Sequence, residues 1–236
     1  MIDQIKLEHK NIDIKNILDF DLCFYDSLPP SFIGINNEFI AGARLDNLVS
    51  NYTTLRALIE TSNDHNAMII INDHEECGSS STVGADGPFL KSILQRLAND
   101  YETFYRLCSN SMIISCDNAH GIHPNFPEKS EENHCPIFNK GPAIKINNNQ
   151  RYATTHKTSA IFQQLANIAD VPYQKFISRT DMPCGSTIGP ITSSNLGIQT
   201  LDVGIPTLSM HSIRELMGAK DGIYLTKILK EYFKRT

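Results

Sequence analysis

One stretch constrains this chain more than any other: Ile69-Ile70-Ile71-Asn72-Asp73-His74-Glu75-Glu76-Cys77-Gly78-Ser79-Ser80-Ser81. A β-branched run of strand length ends in a dense group of acids and a histidine before a glycine turn. In open α/β sheets ligands bind outside the carboxyl ends of the strands, so two adjacent glutamates delivered there would meet a substrate or a metal. Successive side chains of an extended backbone point in opposite directions. Of Glu75 and Glu76, one is then placed to face a metal while the other is free to act as a base. A solvated acidic loop after a strand accounts for the stretch equally well, and the choice depends on what the rest of the chain supplies.

The rest of the chain has 236 residues, enough for one large domain, or a domain plus a fragment of another, with a sizeable buried core. A formal net charge of -5 argues against a nucleic-acid partner, which selects a basic face. No apolar run reaches membrane-spanning length, so no membrane partner is expected. The start, Met1-Ile2-Asp3-Gln4-Ile5-Lys6, lacks the charged-then-apolar order of a signal peptide. A cytoplasmic protein is expected. Cys23, Cys77, Cys108, Cys116, Cys135 and Cys184 have no CxxC spacing, which favours free thiols over a disulfide framework.

Apolar runs alternate with helical patterns along most of the length. Strands are expected at Ala67–Ile71, Met112–Cys116, Pro142–Ile146, 174–179 and Ile198–Val203, with a half-exposed strand over Ile17–Asp26. Helices are expected over Asn47–Glu60, where Leu48, Tyr52, Leu55, Leu58 and Ile59 recur at helical spacing, around Phe89–Leu97, around Ile161–Ala169 and at the C-terminus. The segment Asp181–Pro190, rich in glycine, proline and hydroxyls, reads as a loop. This alternation predicts an α/β fold with a mixed, mostly parallel sheet and helices on both faces.

Several acids and one histidine fall near the ends of these elements: Asp46, Glu75, Glu76, Asp117 and His211. Each has a plain structural account as well. Asp46 suits a helix N-cap, His211 a satisfied core histidine, and His120 and His123 a surface loop. Taken together, hard oxygen ligands plus an imidazole suit zinc, manganese or cobalt, and a bridging carboxylate can hold two such ions roughly 3.5–4 Å apart.

Seven ordered segments carry a resemblance. They are Ala43–Leu48, Asp73–Ser79, Ser115–Asn125, Lys140–Lys145, Asn149–Ala153, Asp181–Pro190 and Met210–Glu215, and they resemble the motifs of the aspartyl aminopeptidase family. The resemblance implies a zinc-exopeptidase-like fold and a two-zinc hydrolase, a metalloaminopeptidase that removes N-terminal, often acidic, residues from short peptides. It implies Asp46 as bridging carboxylate, Glu75 as general base, Glu76 and His211 as ligands of one metal, and Asp117 as ligand of the other. Lys145 resembles the residue near the substrate's acidic side chain, and His120 and His123 resemble histidines close to the active site or a subunit contact. Zinc is the implied cofactor, with manganese or cobalt as alternatives. The family assembles as a homo-oligomeric dodecamer.

Residues 1–33 then read as a remnant of the dimerisation domain and 34–236 as the C-terminal part of the catalytic domain. The family's early His-x-Asp motif, which supplies the remaining histidine ligand, has no counterpart before Asp46, so the N-terminal strands are lacking. Weak or absent binding of the second metal is expected. The chain is accordingly read as a truncated or split aminopeptidase whose missing N-terminal half is a potential partner. The alternative is an inactive fragment or assembly subunit that retains the fold.

Overall fold

The computed structural model describes residues 2–11, 17–62 and 65–235. A short helix α1 (Ile2–Glu8) is followed by β1 (Ser31–Ile33), β2 (Phe39–Gly42), α2 (Leu45–Ile59), α3 (Phe89–Ala98) and α4 (Tyr101–Asn110). Then come β3 (Met112–Cys116), β4 (Ala119–His120), β5 (Ala143–Ile146), α5 (His156–Ile168), β6 (Gln174–Ile177) and α6 (Ile188–Leu196). The chain ends with β7 (Gln199–Gly204), β8 (Pro206–Leu208), β9 (Glu215–Gly218) and α7 (Asp221–Phe233).

The strands form two mixed sheets, ordered β3-β7-β5-β6 and β1-β2-β9-β8-β4. In the first, β3 with β7 and β5 with β6 are parallel and β5 with β7 is antiparallel, so the expected parallel majority holds there. The second is mainly antiparallel, with only β4 and β8 running together. Ser31–Ile33, from the N-terminal segment, pairs with β2 inside this second sheet.

Strand β3 shows why helices cover both faces. Met112, Ile114 and Cys116 pack on the larger core with Leu201, Val203, Phe162, Leu225, Ile228 and Leu229, whereas Ile113 packs on a smaller core with Leu94, Phe104, Cys108 and Leu196. Alternation along one strand therefore feeds two cores, one covered by α2, α5 and α7 and the other by α3, α4 and α6. Asp100 caps α4, its side chain accepting from the Thr103 N–H at 2.9 Å, and Thr155 and Thr158 form a reciprocal box at the start of α5.

Three sequence expectations need correction. Ala67–Ile71 forms no strand: Ile69 touches the larger core, but Met68 is 46% and Ile71 53% exposed. Ile17–Asp26 likewise forms no strand, although its apolar and acidic residues alternate over part of its length. An apolar run becomes a strand only where a partner meets its backbone hydrogen bonds, and among the described residues neither segment has one. Third, α2 forms as expected, but most of its apolar stripe faces outward. Leu48, Tyr52, Leu55 and Ile59 are exposed, whereas Leu58, with Leu45 and Val49, joins the larger core beside the buried Ser50, Thr53 and Ala57. Small residues let α2 lie close to α7, and that contact outweighs burial of the larger stripe.

Two helices escaped the periodicity argument. One is α4, with its aromatic and polar sequence; the other is α6, which begins inside the segment expected to be a loop and carries Gly189 and Pro190 in its first turn.

Candidate metal and substrate site

The acidic stretch is presented by a turn rather than by a strand end. The Glu75 carbonyl accepts from the Gly78 N–H at 3.0 Å and the His74 carbonyl from the Ser79 N–H at 2.8 Å. Gly78 closes this turn at φ +102, a conformation that costs glycine little and other residues more. The turn leaves Glu75 half-buried and Glu76 exposed.

Asp46 sits in the first turn of α2 with non-helical backbone angles, φ -80 and ψ 112, and the Asp46–Asn47 peptide is cis. Its side chain does not cap the helix. Instead it points into the site, 5% exposed, with Oδ2 3.2 Å from His211 Nε2. His211 lies in the loop between β8 and β9, not in the core, and the same nitrogen is 3.1 Å from Glu76 Oε2. Ligand atoms of Asp46, Glu76 and His211 all fall within 4.8 Å of one another.

Crowding of like charges governs the electrostatics here. Burial first, then the Asp117 and Glu76 carboxylates, push the Asp46 pKa up to about 8. The same causes in the same order, burial then Asp117 then Glu76, raise Glu75 to about 7. Asp46 Oδ1 is also buried with no hydrogen-bond partner among the described residues, as are Asn47 Oδ1, Ser115 Oγ and Asn118 Nδ2. Buried polar atoms are nearly always satisfied, and a buried carboxylate oxygen without a donor is a place for a cation.

Asp117 follows β3 directly, and its N–H donates to the Val203 carbonyl at 3.0 Å. Its approach to β7 needs Gly204, where a Cβ would stand 2.0 Å from the Asp117 carbonyl oxygen. The Asp117 carboxylate accepts from Lys145 Nζ at 3.0 Å, and this lysine, on β5, is only 3% exposed. The ammonium also lies 5.4 Å from the centre of the Tyr152 ring. Phe176 stands between Tyr152 and His120, with ring centres 6.2 and 6.3 Å away, and burial followed by the Lys145 charge lowers the His120 pKa. His123 is turned away into its own loop, where Nδ1 accepts from the Asn125 N–H at 3.1 Å and the ring packs on Phe126.

A buried aspartate that sequence reasoning missed, Asp202 on β7, ties this side together. It accepts from the Ala153 N–H at 2.6 Å and the Thr187 hydroxyl at 2.7 Å, and lies so close to Gly189 that a Cβ there would come within 2.3 Å of both carboxylate oxygens. Nothing in an apolar strand such as Thr200–Val203 announces such a role. Glu215 was also missed, although it ends a segment already singled out. Its two oxygens accept from the Asp46 and His211 N–H groups, each at 2.8 Å.

The geometry thus gathers Asp46, Glu75, Glu76, Asp117, His211, Lys145 and His120 around one site and leaves His123 outside it. Among the described residues no helix is long and apolar enough to cross a membrane.

Comparison with known proteins follows the same lines. A probable M18 family aminopeptidase 2 of Pseudomonas putida is 50% identical over 235 residues, covering 99% of this chain and 54% of the relative. Its counterpart in Azotobacter vinelandii is 49% identical over 234 residues, with the same coverage. The chain therefore spans about half the length of the curated relatives it matches. Among solved structures, the Ape4 and Nbr1 complex superposes with a TM-score of 0.91 at 37% identity, covering 98% of this chain and 46% of that one. Yeast aminopeptidase 1 superposes with a TM-score of 0.77 at 31% identity, covering 89% and 49%. The sequence pattern of the aminopeptidase I zinc metalloproteases, M18, matches residues 1–233, and the chain belongs to this family.

Proposed function

We propose that this chain carries the metal-holding and base-bearing part of an aminopeptidase that removes N-terminal, acidic residues from short peptides. The convergence of Asp46, Glu76 and His211 beside Glu75 is the observation that supports it most. The donor set fits a divalent cation: two carboxylates, one imidazole nitrogen, and a buried Asp46 oxygen with no other partner. Asp46, Glu76 and His211 would hold zinc, or manganese or cobalt in its place, and such an ion polarises a peptide carbonyl and makes water more acidic. Asp117, the remaining acid beside Asp46, is already paired with Lys145, which agrees with weak or absent binding of a second ion.

Glu75 takes the proton from the attacking water and passes it to the departing amine. Burial, followed by the Asp117 and Glu76 carboxylates, raises the Glu75 pKa in the metal-free chain, which favours a carboxyl able to hold a proton between the two steps. Lys145, beside the Tyr152 ring with Phe176 and His120 next in the row, is the cation that would attract the acidic side chain of the substrate. Six free cysteines agree with a reducing, cytoplasmic setting. The test is release of Asp or Glu from short peptides with added zinc, manganese or cobalt. Turnover lost in Glu75→Gln with metal still bound supports the reading, and no turnover with any of the three overturns it for the chain alone.

A second reading is favoured by the exposed stripe Leu48-Tyr52-Leu55-Ile59 and the unpaired Ile69–Ile71. In it the chain is a subunit that docks onto a polypeptide carrying the rest of the family length, or assembles with copies as the dodecameric S. cerevisiae relative does. Mass in solution, alone and mixed with the full-length P. putida relative, tests it. A monomer that ignores the relative overturns it.

A further inference from the structure

We propose that Glu215 is a positioning residue that sets the Asp46–His211 ligand pair before any metal arrives. The inference rests on the metal-site reading above and adds a residue to it. Glu215 opens β9, is 2% exposed, and reaches a backbone 169 residues earlier in the chain. Oε2 accepts from the Asp46 N–H at 2.8 Å and Oε1 from the His211 N–H at 2.8 Å. One carboxylate thus spans the two peptides whose side chains meet at 3.2 Å in the site.

Both peptides need such support. His211 has a left-handed backbone, φ 66, a conformation uncommon outside glycine and one that neighbouring hydrogen bonds must hold. Asp46 departs from helical angles inside the first turn of α2, where its N–H has no carbonyl of the preceding turn to bond. A rigid acceptor with two oxygens at fixed separation satisfies both donors and fixes the distance between the side chains they carry. Its negative charge next to the ligands also favours a cation in the site. The loop holding His211 is fastened from its other side by Arg214, which bonds Asp26, the Pro29 carbonyl and Ser31. β2 pairs with β9 through Gly42 and Glu215, so strand register sets the height of the carboxylate.

Gln at this position keeps the shape but turns one N–H acceptor into a donor facing another donor. Asp keeps the charge but is too short to span both peptides. Zinc affinity should fall about 10–100-fold in both Glu215→Gln and Glu215→Asp. The visible spectrum of the cobalt-loaded chain should change in both, and metal-free melting should fall by a few degrees because each variant leaves a buried N–H without its acceptor. Wild-type affinity and spectrum in either variant would overturn the proposal. In the unaltered metal-free chain, the Asp46 and His211 amides should be protected from hydrogen exchange. Rapid exchange of either overturns the proposal even if no variant folds. Zinc binding is read without turnover, so a chain that binds zinc through this arrangement yet releases no amino acid overturns the functional reading alone.

Discussion

The two sides of the site meet their negative charge in opposite ways. On one side Asp46, Glu76 and His211 converge, and the second Asp46 oxygen, Oδ1, is buried with no partner among the described residues. On the other, Asp117 is already matched by Lys145 at 3.0 Å, a buried lysine backed by the Tyr152 ring. The first arrangement is held ready for a cation from outside, and the second carries its own. The difference teaches that nearness of acids is not enough to make a metal site. What matters is whether the protein has spent a side-chain cation on them.

Four experiments test that contrast. The largest effect is expected from Glu75→Gln, which leaves the ligand pair untouched and should lower turnover by about 10²–10⁴-fold, measured as amino-acid release with zinc occupancy checked in parallel. Next, His211→Ala should weaken zinc binding by more than the about 100-fold that marks the upper end for an outer partner, read by competition with a chromogenic chelator. Asp117→Asn should do the reverse. First-ion affinity stays within about threefold, whereas stability falls by about 3 kcal/mol because Lys145 is left buried without its acid. Chemical denaturation separates the two, and equal losses of affinity in His211→Ala and Asp117→Asn would erase the contrast.

The fourth test is of pH. Folding raises Asp46 to about 8 and Glu75 to about 7, so between about pH 4 and 8 the folded metal-free chain binds protons that the unfolded chain has released. Its stability therefore falls as pH rises through that window. Zinc should flatten the fall, because a cation then matches the ionised carboxylates. Melting temperature from pH 5 to 8, with chelator and with zinc, measures both, and a metal-free chain that grows more stable toward pH 8 contradicts the assignment.

Much of this was legible beforehand, and the failures share a cause. Met112–Cys116, the helix after Asp46, the C-terminal helix and the α/β alternation follow from local periodicity, which the chain carries in every window. Ala67–Ile71 has the composition of a buried strand and lacks the ladder that makes one. The stripe Leu48-Tyr52-Leu55-Ile59 has the spacing of a core face, yet it points outward because Ser50, Thr53 and Ala57 offer the closer fit to α7. Periodicity reports which residues share a face. It does not report what the face meets.

The site divides in the same way. Ordered motifs singled out Asp46, Glu75, Glu76, Asp117, Lys145 and His211, since chemistry restricts which residue types can hold a metal or move a proton, and those types stand in the sequence as written. Turning Glu75 and Glu76 on Gly78, pairing Asp117 with Lys145, clasping two loops on Asp202 and bridging Asp46 to His211 through Glu215 were decided only by the fold. Each joins residues distant in sequence or depends on which backbone groups are left without a partner, and hydrogen bonds of that kind have no period to read.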